Sequence, residues 1–422
     1  MEGIVINAKS SSILTINGSS SNIKFGRFEV DDPPRRLLRR EIGRIGQKQA
    51  CLRVTGSQSA DPISRSVKAP DHASAVELLI SYVEGGGGQS ADAEVGHRFV
   101  HGGPKYWELQ GVTLEMLKDL SASRAFDPEH LPNEIRLIEA FSRRFPSVPQ
   151  IACFDTAFHH DLPLVAMLLS IPCRYEAQGL RRYGFHGLPY AFLLEVLARV
   201  AGKQAAKDWV ILAHLGSDAS LAAVRGGKSG DTTMGLTPAA GVPMSPRSGY
   251  LETGLMEYLT RPEQMTPAQF TKMNNFESGL LGISEASADT QELIDRETKD
   301  TRAAGTVALF CYQAKKWIGA FADALGSFET LVFSGVIGEN APTIRAPICD
   351  DLSFLGIAID AQSSALIALD TSSVQVCVIT PDEVSMIAKS VMTILTHGTT
   401  GSSATQAQPT KFPAKPRLMG QP

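Results

Sequence analysis

Apolar residues along the chain follow two patterns: short runs closed by polar turns, and longer stretches with an apolar residue every three or four positions. Residues 13–16 (Ile-Leu-Thr-Ile) form one run, broken by Asn17, Gly18 and a string of serines before 23–30 resumes, which predicts a hairpin. The pattern returns at 210–224, where two apolar runs flank the turn His214-Leu215-Gly216-Ser217-Asp218. Further strands are predicted at 95–100, 151–154, 331–334 and 374–379. Between them, Ala75, Val76, Leu79, Ile80 and Val83 keep helical spacing and stop at the glycine run Gly85 to Gly88. Other helices are predicted from 127 to about 144, from about 190 to 200, over most of 292–325 with Ala308, Phe310, Ile318 and Phe321 facing a core, and over 384–395. Strands alternating with helices imply an α/β fold.

Composition narrows this further. A chain of 422 residues exceeds one ordinary core, so a two-domain enzyme is expected. With 43% apolar and 20% charged residues and a mean hydropathy of −0.03, it has the balance of a soluble globular protein. No apolar run is long enough to span a bilayer, and the start, MEGIVINAKS, lacks a basic region before an apolar block, so no secretory leader is expected. Six widely spaced cysteines, none in CxxC spacing, argue for reduced, mostly buried thiols in a cytoplasmic protein. A net charge of −4 and a pI of about 6.2 give no reason to expect nucleic acid or membrane as a partner. Residues 31–70 carry nine Lys and Arg against four acids but no interleaved aromatics, which predicts an exposed sheet edge rather than a polyanion site. From 397 to 422 small and polar residues dominate, so that segment is expected to be a disordered tail.

Candidate chemistry lies where the strand patterns end. The 17–24 turn offers Asn17, serine hydroxyls and Lys24, a set suited to phosphate and a hydrated divalent cation, or equally an ordinary solvated turn. In Gly96-His97-Arg98-Phe99-Val100-His101-Gly102-Gly103, alternation puts His97 and Phe99 on one face and Arg98 on the other, aimed into a cleft or held as a structural cation. Asp155 closes a buried strand, where α/β sheets bind ligands. His186 stands between Phe185 and Gly187 just before a helix. Backbone N–H groups of the 214–218 turn can converge on an anion. Arg247 has no acid near it in sequence, which makes it a candidate anion clamp. Gly335 to Asn340 forms a strand-to-helix turn on which a nucleotide could lie.

Taken in order over about residues 12–395, these stretches resemble the acetate kinase (acetate/propionate kinase) family, within the acetate-and-sugar-kinase, Hsp70 and actin superfamily. The resemblance implies two ribonuclease-H-like, actin/Hsp70-type domains of mixed five-stranded sheet with a ligand cleft between them. One domain would comprise 1–155 plus 384–396, the other 156–383, and the protein would be a homodimer. It further implies in-line transfer of a phosphoryl group between ATP and a short-chain carboxylate, giving an acyl phosphate and ADP, with Mg2+ or Mn2+. Asp155, His186 and Arg247 would be catalytic, and Arg98 and His130 would bind the carboxylate. Lys24, the turn His214-Leu215-Gly216-Ser217-Asp218, Asp289-Thr290-Gln291 and Val336-Ile337-Gly338-Glu339-Asn340 would hold the nucleotide, with Asn17 and Glu383 at the metal. Several positions depart from the family pattern: Ser19 for Gly, Asn22 for Ser, Ser217 and Asp218 for Asn and Gly, Gln291 for Arg, Val336 for Gly and Tyr250 for Asp. Asp218 would repel phosphate unless Mg2+ intervenes, and a β-branched Val336 would hinder either the close approach of the ligand or a left-handed backbone. A different phosphoryl donor such as pyrophosphate, a propionate acceptor, and a catalytically weak binding homologue are the alternative readings.

Overall fold

The computed structural model describes residues 12–19, 21–56, 63–85, 93–363 and 365–397. Apart from His397, the expected disordered tail lies outside the described residues, as do Gly86 to Gly88. The strands are β1 (Ser12–Gly18), β2 (Asn22–Glu29), β3 (Arg35–Gly43), β4 (Cys51–Gly56), β5 (Ile63–Ser66), β6 (Ala93–Phe99), β7 (Gln110–Gly111) and β8 (Gln150–Phe154), then β9 (Val210–Leu215), β10 (Ala219–Arg225), β11 (Lys228–Thr232), β12 (Thr330–Ser334) and β13 (Gln375–Val378). They form two sheets, ordered β5-β4-β3-β2-β1-β6-β8-β7 and β11-β10-β9-β12-β13.

Both sheets share one plan. In each, three antiparallel strands (β3-β2-β1, β11-β10-β9) are followed by two parallel to the inner one (β6 and β8, β12 and β13). The first sheet exceeds the expected five strands because β4 and β5 extend one edge and β7 the other. The basic segment therefore supplies β3, β4 and β5, of which β5 is the sheet edge and is exposed along its whole length. A tight turn joins β1 to β2, with Ser19 N–H donating to Asn22 O at 2.8 Å, and it sets Asn17 opposite Lys24.

The principal helices are α1 (His72–Gly85), α2 (Leu114–Ala122), α3 (Leu131–Arg144), α4 (Gly187–Val200), α5 (Pro267–Phe276), α6 (Thr290–Arg296), α7 (Thr301–Leu325), α8 (Gly335–Asn340), α9 (Pro342–Cys349) and α10 (Glu383–His397). Apolar faces of α1 and α3 cover one side of the first sheet. Its other side takes α10, whose Val384, Ile387, Ala388 and Val391 pack with Ile13, Phe28 and Ile151, each buried aliphatic side chain contributing about 1.5–3 kcal/mol. Gly96 makes this approach possible: a Cβ there would sit 2.6 Å from the side chains of Ile387 and Val391. On the second sheet, Tyr190, Leu193 and Leu197 of α4 cover one face. Val307, Phe310, Ile318 and Phe321 of α7 cover the other, and the helix runs from an Asp300 cap to a left-handed Gly326. Ala308 is exposed, contrary to expectation, because Val307 and Phe310 already fill that face. No helix among the described residues is long and apolar enough to cross a membrane.

In this topology the C-terminal ends of β1, β6, β8, β9 and β12 carry Asn17, Arg98, Phe154 with Asp155 next, His214 and Ser334. Such strand ends are where an open α/β sheet offers its ligand crevice.

Candidate active site

Asp155 follows β8 and is fully buried. Its Oδ2 accepts from Arg98 Nε at 2.9 Å and Nη2 at 2.5 Å, and its Oδ1 from the Leu188 N–H at the start of α4 at 3.3 Å. Burial pushes the Asp155 carboxyl up, and the Arg98 guanidinium opposes it. Arg98 also donates from Nη1 to Asn17 Oδ1 at 3.2 Å, and Asn17 Nδ2 donates to Glu383 at the head of α10. Burial alone would raise the Glu383 carboxyl, but Arg98, Lys24, His214 and the Asn17 bond hold it down to about 2. Four groups from separate elements thus form one continuous polar chain. Gly187 lets α4 start so close to Asp155, since a Cβ there would lie 2.0 Å from Asp155 O.

His186 caps α4 in a left-handed conformation, φ +60°, unusual for a residue with a side chain. Its Nδ1 is 2.8 Å from Ser220 Oγ, which is 2.6 Å from the Tyr190 hydroxyl. Burial lowers the His186 imidazole to about 4, so it is neutral at physiological pH. When Ser220 donates to Nδ1, the imidazole proton resides on Nε2. The His214 ring lies 4.7 Å from it, tied through Nδ1 to Ser334 Oγ at 3.1 Å and lowered by burial to about 3.

Arg247 differs most from expectation. It has no acid near it in sequence, yet in the fold Nη1 donates to Asp218 Oδ1 at 2.7 Å and Nη2 to Glu129 Oε2 at 2.8 Å. Burial works against the Arg247 charge, but Asp218 and Glu129 raise its pKa overall. Asp218, flagged for repelling phosphate, is held ionised; burial pushes it up and Arg247 more than offsets this. His130 is buried, with Nδ1 2.9 Å from Asp127 Oδ1; burial lowers its basicity and the Asp127 bond more than restores it. Beside it, burial raises the Glu134 carboxyl to about 8, while both oxygens accept from the Val100 N–H at 3.1 and 3.3 Å.

The nucleotide-side candidates divide. Gly216 and Val336 abut, a Cβ on Gly216 reaching 4.0 Å from Val336 N, so the 214–218 turn and α8 form one surface; Leu215 is fully buried and Ser217 O accepts from Ser245 N–H at 3.0 Å. The left-handed residue is Gly335, φ +77°, where a Cβ would sit 2.5 Å from Leu215 O. Val336 keeps an ordinary backbone and is 73% exposed, so the expected left-handed strain does not arise at that position. Ile337 and Gly338 are buried, Glu339 accepts from Thr380 Oγ1 at 2.6 Å, and Asn340 Nδ2 donates to Val336 O at 2.9 Å. Asp289 caps α6, accepting from the Gln291 and Glu292 N–H groups; Thr290 is buried and Gln291 bonds Asp295 on its own helix. The exchanged residues Ser19 and Asn22 bond each other, Oγ to Oδ1 at 2.7 Å, and Tyr250 is 79% exposed.

Reading by sequence missed Glu129, Asp127, Glu134, Ser220, Asn275 and Arg345. Buried Arg345 donates to the carbonyls of Gly338 and Glu339 at 3.0 and 2.9 Å and so fixes the end of α8. A buried-facing arginine after a proline-led helix start was the available signal for it.

These groups converge. His186 feels the charges of Asp218, Arg98, Glu383 and Arg247, and His214 those of Glu383, Lys24 and Asp155. Neutral hydrogen-bond donors, two arginines and oxygen ligands around one crevice are what phosphoryl transfer requires. The description "Acetokinase family" matches residues 12–389. The chain belongs to the acetokinase family. An acetate kinase of Rhodopseudomonas palustris is 36% identical over 395 residues, covering 92% of this chain and 99% of that one. A propionate kinase of Citrobacter rodentium is 37% identical over 392 residues, covering 90% and 96%. The crystal structure of Porphyromonas gingivalis acetate kinase superposes with a TM-score of 0.80 at 31% identity, covering 91% of this chain and all of that one. Acetokinases use ATP or ADP and a divalent metal. Among the described residues no three His, Cys, Asp or Glu side chains gather into a metal cage. Glu383, Asp155 and Asn17 nonetheless fit a hard cation that keeps most of its waters, because all three offer oxygen and Glu383 stays ionised.

Proposed function

We propose that the chain transfers the γ-phosphoryl group of ATP to acetate, or to a carboxylate of similar size, reversibly and with Mg2+. The observation that carries this is the position of His186, a buried neutral donor within electrostatic reach of Arg98 and Arg247 at once. A carboxylate needs no strong base. One of its oxygens attacks the γ-phosphorus, the bond to the β-bridging oxygen breaks, and ADP leaves with the electron pair. Arg98 and Arg247 orient and neutralise the two reacting anions, and His186 donates from Nε2 to an equatorial phosphoryl oxygen as charge develops there. Asp155 positions Arg98 and, with Asn17 and Glu383, would hold the cation, which when bound screens donor phosphates. Lys24 and the turn 214–218 approach those phosphates, and His130 borders the acceptor. The reading divides the chain into 1–155 with 384–396 against 156–383, which the packing of α10 on the first sheet supports, and a cytoplasmic homodimer goes with it.

Hydroxylamine trapping tests this: full-length protein, ATP, Mg2+ and acetate should give acetohydroxamate, and no hydroxamate from acetate, propionate or butyrate would refute it. Pyrophosphate as donor is a second reading, favoured by the engagement of Asp289 and Gln291 in hydrogen bonds within their own helix. The same assay with pyrophosphate in place of ATP separates the two.

A further inference from the structure

Arg247 is engaged at both ends of its guanidinium, and the two partners differ in kind. Asp218 belongs to the turn after β9 and is 43% exposed. Glu129 belongs to the loop before α3, on the side of the first sheet, and is 14% exposed. Its other oxygen, Oε1, accepts from Asn275 Nδ2 of α5 at 2.5 Å. Both oxygens of Glu129 are therefore held by groups from the second sheet's side of the crevice. What it presents to Arg247 is a carboxylate, the functional group of the acceptor itself. Charge sharpens the point. Lys24, Arg98 and Arg247 face Glu129, Asp155, Asp218 and Glu383, so a crevice that must admit two further anions starts with carboxylates in excess.

We propose that Glu129 sets the affinity for the acceptor: it is an internal carboxylate that holds Arg247 and Asn275 across the crevice until the acceptor carboxylate displaces it. This rests on the carboxyl-acceptor reading above, with the acceptor carboxylate lying between Arg98 and Arg247 beside His130, on whose imidazole the Arg247 charge acts. Displacement exchanges one carboxylate on Arg247 for another, so the acceptor gains little net electrostatic energy and binds weakly. Glu129→Gln keeps the shape and an acceptor oxygen for Asn275 while removing the competing charge.

Steady-state kinetics of the full-length chain with ATP, Mg2+ and varied acetate test it. In Glu129→Gln the KM for acetate should fall about tenfold, with kcat within about twofold and the KM for ATP unchanged. Glu129→Asp, which keeps the charge but withdraws it from Arg247, should shift the KM in the same direction. A KM that rises together with a loss of kcat would make Glu129 a support for Arg247 and overturn the proposal, as would an unchanged KM. Small-angle X-ray scattering of the ligand-free proteins gives a readout independent of turnover: Glu129→Gln should have the larger radius of gyration, and equal radii overturn the cross-crevice hold. If the wild type makes no acyl phosphate at any acetate concentration, the functional reading fails while scattering still decides whether Glu129 holds the crevice closed.

Discussion

Removing Arg98 should destabilise the protein far more than removing it together with Asp155. In Arg98→Met the Asp155 carboxylate, 0% exposed, loses both guanidinium bonds and keeps only the Leu188 N–H at 3.3 Å. Leaving one member of a buried pair uncompensated costs about 3–5 kcal/mol. At about 2–4 °C per kcal/mol for a folding unit of this size, the melting temperature falls by about 10 °C. Asp155→Leu should lose less, because the stranded Arg98 retains Asn17 at 3.2 Å and the nearby charge of Glu383. The double variant Arg98→Met/Asp155→Leu removes both charges, and its loss should be smaller than that of Arg98→Met alone, so the coupling exceeds the whole Asp155→Leu loss and reaches about 3 kcal/mol. Calorimetry on the four proteins measures this, with acyl phosphate formation alongside. Stability should partly return in the double variant while turnover stays absent, separating the pair's support of the fold from its part in the reaction. Strictly additive losses would refute the account of Asp155 and Arg98 as one coupled unit.

Other outcomes follow from the same geometry. Glu134 has its folded pKa raised to about 8 from 4.5, so the unfolded chain binds fewer protons at this position between those values and the contribution of Glu134 to stability declines as pH rises through that window. In urea titrations run from pH 5 to 8 the stability of the wild type relative to Glu134→Gln should therefore fall as pH rises, and parallel curves for the two proteins would contradict it. His186, lowered to about 4, should keep a neutral imidazole signature in 15N spectra down to pH 5, its resonance assigned by loss in His186→Asn; titration near 6.5 would contradict its burial. Gly335→Ala places a Cβ 2.5 Å from Leu215 O in a left-handed residue and should weaken ADP binding about tenfold by calorimetric titration, at about 1–3 kcal/mol of strain.

Much of the site was legible because it lies at strand ends, which local pattern marks. Asn17, Arg98, Asp155 and His214 each close a run whose alternation or apolarity is visible within about ten residues, and the fold brings those ends together. What escaped were partners distant in sequence. Arg247 looked unpaired because Glu129 and Asp218 lie 118 and 29 residues away, and no periodicity connects them. Ser220 and Tyr190 looked like strand and helix filler, although together they form the hydrogen-bond chain that ends on His186 Nδ1. Val336 drew attention as a β-branched residue in a glycine-rich turn, whereas the backbone places its left-handed residue one position earlier, at Gly335. The extra edge strands of the first sheet were anticipated as an exposed basic edge but not counted as strands, since β5 has no apolar face to reveal it.

The central claim is that a carboxylate oxygen attacks the γ-phosphorus directly in the crevice between Arg98 and Arg247. Incubating the protein with ATP, Mg2+ and acetate labelled with 18O in both carboxyl oxygens, and observing the product by 31P NMR, tests it most directly. The account predicts an acetyl phosphate resonance carrying the isotope shift of one bridging 18O; acetyl phosphate without that shift, or none formed at all, would contradict it.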